Sequence, residues 1–231
     1  MGFDAEYRLL KASGHPGWGW LDYDRRLDGW VKTIARLRAD AKFPAPPSKL
    51  LELGCGNGMI SSLFAQLGYA VEGVEISTSA VLWARELFEG ANLLGEFRQG
   101  NVCSMPFHGN DKFDAVIDGN CVHCLIGSDR SKCLAEVQRV LRPSGTFVIS
   151  SMCGEPKSKD ALARFDPKSR CLFHNGRPYR TLIGADDIAQ EIEDAGFRVV
   201  WRQVSENAWW DHLTLMAAEC RGTTPGAPNH D

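Results

Sequence analysis

Leu51-Glu52-Leu53-Gly54-Cys55-Gly56-Asn57-Gly58 sets three glycines at alternate positions, with a carboxylate two residues ahead of the first. Glycine has no Cβ, so a ligand can lie directly against the main chain at such a turn. A Gly-rich strand-to-helix turn by itself suits several nucleotides, NAD and FAD among them. Two details narrow it. Met59 stands where a dinucleotide fingerprint has its last glycine. Glu52 would repel a pyrophosphate, but it would attract a cationic ligand directly or through water. A second carboxylate, Glu75, closes the apolar run that follows. At the end of a second strand, a carboxylate can accept two hydrogen bonds from a ribose diol.

Further down the chain, Phe113-Asp114-Ala115-Val116-Ile117-Asp118 leads into Gly119-Asn120-Cys121-Val122-His123-Cys124. His123 titrates near neutrality and so can take a proton from a hydroxyl, amine or thiol. Asp118 is the carboxylate beside it, suited to orienting a ligand. Cys121 and Cys124 have the spacing of half a zinc site. No second Cys-x-x-Cys or His pair completes one, so no metal is expected.

The elements that carry these residues alternate. Strands are expected at 49–53, 69–76, 95–99, 113–118 and 146–152, and helices at 59–67, 77–89 and 129–141, with the last helix closed by Arg142-Pro143-Ser144-Gly145. Such alternation specifies a parallel sheet covered on both faces. A helix at 185–195 stops at Gly196, and two strands at 197–204 and 209–219 follow with a link too short for anything but an antiparallel pair. The sum is an α/β fold with a seven-stranded, mostly parallel sheet ending in an antiparallel hairpin. Its ligand crevice lies at the carboxyl ends of the first strands.

These motifs, in this order and spacing, resemble the class I S-adenosylmethionine-dependent methyltransferase superfamily, a Rossmann-like fold. The resemblance runs from about Lys49 to Met152, and more loosely over 185–220. It implies that Gly54, Cys55, Gly56, Asn57 and Gly58 lie beside the methionine part of S-adenosylmethionine, with Glu52 close by. It implies that Glu75 binds the ribose and that Ile76 lies against the adenine. Where the family often has Gly-Asp after its third strand, this chain has Gly100-Asn101-Val102-Cys103. The Asn101 amide oxygen can still accept from the adenine amino group, and the Val102 backbone N–H can donate to a ring nitrogen. The end of the fourth strand, with Asp118, faces the transferred methyl in that family. The product would be S-adenosylhomocysteine.

Two segments outside this core are placed to choose the acceptor. The expected division is an N-terminal helical lid (1–47), a cofactor core (48–153), an insertion (154–182), a C-terminal helix and hairpin (183–221) and a flexible tail (222–231). The N-terminal part carries Trp18, Trp20 and Tyr23, aromatic faces that can wall a site or approach a sulfonium, ahead of an amphipathic helix expected over 24–41. The insertion has seven basic residues against three acidic ones in a chain of net charge -3. With Asn120 at the strand end, Tyr179 and Arg180 are its candidates for binding an acidic acceptor. Asn175-Gly176 has the chemistry of a tight hairpin turn.

The 231 residues, 44% hydrophobic and 24% charged, make one domain of ordinary globular composition. The net charge argues against binding nucleic acid or an anionic membrane by its whole surface. After the fourth strand there is no Pro-Pro-aromatic motif of the base-amino methyltransferases, and the Pro-Cys pair of the cytosine-carbon enzymes is absent. No stretch has the roughly 20 apolar residues that cross a bilayer. Eight cysteines without an export pattern are expected to be free thiols in the cytoplasm. The expected activity is methyl transfer to O, N or S of a small, acid-bearing metabolite. The alternatives are a protein methyltransferase and a non-catalytic module that keeps S-adenosylmethionine as a ligand.

Overall fold

The computed structural model describes residues 2–220, the Trp20 side chain apart, so the tail expected at 222–231 lies outside the described residues. Two helices, α1 (Phe3–Ala12) and α2 (Tyr23–Ala39), precede the sheet. Then come β1 (Lys49–Leu53), α3 (Met59–Gln66), β2 (Ala70–Glu75), α4 (Thr78–Gly90), β3 (Gly95–Gln99), β4 (Phe113–Gly119), α5 (Ser128–Val140) and β5 (Leu141–Cys153). An excursion of α6 (Lys159–Arg164), β6 (Phe165–Asp166), β7 (Cys171–His174) and β8 (Arg177–Thr181) leads to α7 (Ala185–Asp194), β9 (Phe197–Ser205) and β10 (Asp211–Glu219).

Seven strands form one sheet in the order β3-β2-β1-β4-β5-β10-β9, and only β10 runs against its neighbours. The strand order reverses between β1 and β4. The loops after these two strands therefore diverge to opposite sides and leave a crevice at their carboxyl ends. Both faces of the sheet are covered, which is why its strands read as continuous apolar runs. On one face Leu51, Leu53, Val116, Phe147 and Ile149 meet Leu134 and Val137 of α5 and Ile188 and Ile192 of α7. On the other, Leu50, Ala115, Ile117 and Val148 meet Ile34 and Leu37 of α2 and Ile60 and Phe64 of α3. Ser77 caps α4, its hydroxyl accepting from the Ala80 amide at 3.1 Å.

Three features depart from the sequence expectation. Helix α1 was not anticipated; it buries Tyr7 and Leu10 against Ala80 and Trp83. Arg142–Gly145, expected as a turn ahead of the fifth strand, is taken into β5 as a bulge, with Ser144 at φ 62°. The charged insertion has a small core of its own. Ala161, Leu172 and Leu182 pack on Met152 beneath a three-stranded antiparallel sheet. Asn175 and Gly176 turn β7 into β8 with φ of 51° and 72°, the paired positive values of a tight hairpin turn.

Candidate active site

The loops after β1, β2, β3 and β4 open into a cavity of about 1010 Å³. That is the upper end of the roughly 300–1,000 Å³ typical of small-molecule sites, room for a cofactor and an acceptor together. Its floor is the glycine turn. Gly54 and Gly56 have φ of 59° and 54°, a backbone conformation that side chains disfavour. A Cβ on Gly54 would lie 2.7 Å from Cys121 Cβ, and one on Gly56 would strike the hydroxyl of Tyr7. Both glycines line the cavity, as do Glu52, Cys55 and Asn57. Gly58 does not. It packs behind the turn, against Ala84 and Phe88, so the ligand contact expected of it is corrected to a packing role.

Glu75 ends β2 in the cavity wall. Its Oε2 accepts from the Gly56 amide at 3.1 Å and its Oε1 from the Ser77 amide at 2.9 Å. Burial raises its pKa against these two stabilising hydrogen bonds. Each oxygen keeps lone-pair capacity for a further donor. Glu52 accepts from the Ser61 amide at 2.8 Å and the Ser61 hydroxyl at 2.5 Å, at the start of α3. Burial pushes its pKa up to about 8 despite these bonds. Ile76, Asn101 and Val102 form the far wall. The Asn101 amide oxygen already accepts from the Cys103 amide at 2.9 Å. Asn57 is buried, and its amide nitrogen donates to the Pro16 carbonyl at 2.8 Å, which ties the N-terminal segment over the turn.

At the end of β4 the structure separates neighbours. Asp118 is fully buried and off the cavity, its Oδ1 accepting from the Cys121 and Val122 amides at 2.6 and 2.9 Å. The contact expected of it with cofactor, acceptor or proton is therefore corrected: it shapes the following turn. Strand alternation is the reason. Asp118 shares the face of Val116, toward α5, while Gly119 shares the face of Ile117 and meets the cavity. Asn120 and His123 do line the cavity. His123 is buried in a 3-10 turn, and its Nδ1 has no hydrogen-bond partner among the described residues. Burial first, then the charge of Arg180, holds its pKa well below the usual histidine value, so the ring is neutral.

Trp18 and Tyr23 stand in the cavity wall, and Trp18 also meets the Phe3 and Tyr7 rings. The Trp20 side chain lies outside the described residues. In β8 the two insertion candidates part. Arg180 reaches the cavity, whereas Tyr179 does not line it; the Tyr179 ring meets Arg164 and His174 and lies 5.4 Å beneath the Arg180 guanidinium. Tyr179 is thus corrected to a structural position. Sequence reasoning missed Tyr7, Arg26, Trp30, Ser150 and His212, all of which line the cavity. The i, i+3 burial of Tyr7 and Leu10 was a readable helix signal. Nothing local marked the other four as sharing one space. Among the described residues no cluster of His, Cys, Asp or Glu could hold a metal ion, and no helix is long and apolar enough to cross a membrane.

The raised carboxyls carry a pH signature. Glu52 and Asp118 hold protons up to about 8 and about 7 in the fold, against 4.5 and 3.8 unperturbed. The folded state thus binds more protons than the unfolded chain in this range, so these groups favour folding at low pH and the benefit is lost as pH rises through the folded values. The depressed histidines act in the opposite sense, below about 6.5. Between about pH 6.5 and 8, the urea midpoint is therefore expected to fall, and Glu52→Gln to shrink that fall. A slope that E52Q leaves unchanged would show that Glu52 ionises normally.

A glycine turn where added Cβ atoms would strike Cys121 and Tyr7, a carboxylate at the end of β2 and a crevice at the strand-order reversal make an α/β domain built to take a small-molecule ligand at its strand ends. Residues 51–149 match the family described as "Methyltransferase domain". An O-methyltransferase of Penicillium expansum, cnsE, is 30% identical over 163 residues, which cover 68% of this chain and 54% of that protein. A "Ubiquinone biosynthesis O-methyltransferase" from Ruegeria sp. strain TM1040 is 28% identical over 183 residues, 77% of this chain and 72% of that protein. This chain thus spans about half the length of the first relative and under three quarters of the second. Among solved structures, a Burkholderia thailandensis 1,6-didemethyltoxoflavin-N1-methyltransferase with bound S-adenosylhomocysteine superposes with a TM-score of 0.64 at 21% identity, covering 95% of this chain and 92% of that one. Over residues 51–149 the chain matches that methyltransferase family, and its fold is that of the class I S-adenosylmethionine-dependent methyltransferase superfamily.

The site fits the cofactor of that superfamily. Main chain lining the cavity at Gly54 and Gly56 and a carboxylate at Glu75 offer what an adenosyl amino acid needs, with the Glu52 carboxyl, protonated up to about 8, beneath it. When bound, S-adenosylmethionine supplies a methyl group already activated on a positive sulfur. The protein has then to align an acceptor and exclude water.

Proposed function

We propose that this chain transfers the methyl group of S-adenosylmethionine to an oxygen of a small, acid-bearing metabolite. The observation that carries the acidic acceptor is a pair of arginines. Arg26 from α2 and Arg180 from β8 both reach the cavity, and neither has a carboxylate within ion-pair distance among the described residues. Arg26 donates to the Trp18 carbonyl at 2.6 Å, and Arg180 lies 3.5 Å from Met152 Sδ. By contrast, Arg164 and Arg170 of the same insertion are matched to Asp160 and Glu155. A half-buried cation without a counter-ion calls for an anion from the ligand. Oxygen as the acceptor atom is supported by relatives named O-methyltransferases; nitrogen and sulfur are the other outcomes of the test below.

Residues 1–47 and 154–182 act here as the two walls that admit the acceptor, with Trp18, Tyr23 and Trp30 of the first, and Trp210 from the link between β9 and β10, giving flat apolar faces suited to a ring. The eight cysteines, none of them in a disulfide among the described residues, suit work in the cytoplasm. The test is methyl transfer from labelled S-adenosylmethionine to salicylate, protocatechuate, anthranilate and thiosalicylate, with the neutral amide of each as control. The acids are expected to react and the amides not. Arg26→Gln and Arg180→Gln should each raise KM for the acid about ten-fold or more, the scale of a charge-assisted hydrogen bond, and leave cofactor affinity unchanged. Equal turnover of acids and amides would remove the acidic acceptor. Tight cofactor binding without turnover of any acceptor would make the chain a binding module.

A further inference from the structure

We propose that Ser150 and His212 take up the proton of the acceptor hydroxyl, Ser150 touching the acceptor and His212 receiving through it, and that the acceptor's own acid group makes His212 able to do so. This rests on the reading of the chain as a methyltransferase for a small hydroxy acid. Ser150 lies in register with Gly119, the cavity residue at the end of β4. In the antiparallel pair of β5 and β10, Thr214 stands opposite Ser150 and His212 opposite Met152. Strand alternation puts all four on one face of the sheet, and all four line the cavity. Ser150 Oγ is 2.8 Å from His212 Nε2. With the ring hydrogen on Nδ1, Nε2 accepts from the serine, and the Oγ lone pairs are left for an incoming hydroxyl.

The transfer balances. The acceptor oxygen bonds to the methyl carbon as the carbon–sulfur bond breaks, and that electron pair stays on sulfur. The hydroxyl proton passes to Ser150 Oγ while the serine proton passes to His212 Nε2, leaving an imidazolium.

The charged and titratable groups around this pair are Arg26 from α2, Arg180 from β8, and His123 from the 3-10 turn with Arg130 behind it. The carboxyls of Glu52, beside Gly119, and of Glu206, next to the His212 partner Ser205, also line the cavity, and Glu52 is protonated up to about 8. Burial first, and Arg26 second, hold His212 down to about 4, too weak a base by itself. An acceptor carboxylate seated on Arg26 and Arg180 removes the second cause and gives the imidazolium a counter-charge. Recognition of the acid and strength of the base are then one event: a neutral analogue fits the cavity but meets an inert histidine. His123 has the rival claim, but its Nδ1 is buried away from solvent and has no hydrogen-bond partner among the described residues.

The test uses the full chain with labelled S-adenosylmethionine and salicylate or protocatechuate. His212→Gln and Ser150→Ala are each expected to lower kcat roughly 10²–10⁴-fold, the span of general-base catalysis. Both should remove the acid limb of the pH–rate profile while calorimetry shows unchanged cofactor affinity. The double variant should be no worse than either single one, since a relay fails at any link. Histidine-labelled protein with S-adenosylhomocysteine gives a readout without turnover: salicylate should move the His212 titration upward, and its amide should not. An acid limb retained in H212Q, or one removed by His123→Gln instead, overturns the proposal. So does a His212 titration that salicylate leaves in place. If anthranilate or thiosalicylate is the acceptor and the hydroxy acids are not, the hydroxyl reading fails and the pair's role fails with it. If hydroxy acids react but H212Q is unaffected, only the pair is refuted.

Discussion

Replacing Glu75 with alanine is expected to weaken S-adenosylmethionine binding by roughly 1–3 kcal/mol, the usual loss for a charge-assisted hydrogen bond to a buried group. Two consequences of the geometry place the result toward the upper end. The carboxylate lies in the cavity wall, where it can receive donors from the ligand. It also receives the Gly56 and Ser77 amides, so it holds the glycine turn and the start of α4 in place. Its removal strips the ligand contact and leaves two buried N–H groups unmatched. Glu75→Gln separates these roles: one amide oxygen keeps one of the two backbone bonds, so the variant should melt closer to wild type than alanine does while still binding the cofactor poorly. Calorimetry with S-adenosylmethionine and S-adenosylhomocysteine, alongside thermal melting, checks both. Unchanged affinity in E75A would overturn the ribose assignment.

Gly54→Ala should do more damage to binding than its single methyl suggests. Left-handed backbone costs a residue with a Cβ roughly 1–2 kcal/mol. The new Cβ would also lie 2.7 Å from Cys121 Cβ and 2.8 Å from its sulfur, closer than unbonded carbon tolerates. Cys121 cannot easily retreat, because Asp118 grips its amide at 2.6 Å. The strain therefore falls on the turn itself, which must shift away from Cys121 and so displace the main chain that lines the cavity. The folded state is expected to lose that backbone term, and the displaced turn to bind the cofactor about ten-fold or more weaker, about 1.4 kcal/mol. Cys121→Gly in the same chain should recover part of the folding stability but little of the binding. Wild-type affinity in G54A would mean that the cofactor does not lie on this turn.

The donor half of the site was legible in the sequence because it is built from neighbours. Leu51 to Gly58 is one strand end and one turn, and Glu75 closes the next strand. Apolar alternation and glycine spacing are local properties, so they announce a strand, a turn and the main chain that a ligand can touch. The seven strands of the large sheet followed from the same periodicity, but their order did not.

Period two also tells that Asp118 and Gly119 point to opposite faces, and likewise Tyr179 and Arg180. It does not tell which face meets the ligand. Only the docking of α5 on one side, and of the insertion across β5, decided for Gly119 and Arg180. The acceptor half was invisible for a deeper reason. Arg26, Ser150, Arg180 and His212 come from four elements spread along nearly the whole chain, and they meet only when the sheet closes and α2 and β8 fold over its edge. Secondary structure is written in short-range pattern. A site assembled by long-range packing leaves no such pattern, and the charges and hydrogen bonds that give those four residues their chemistry exist only in the folded chain.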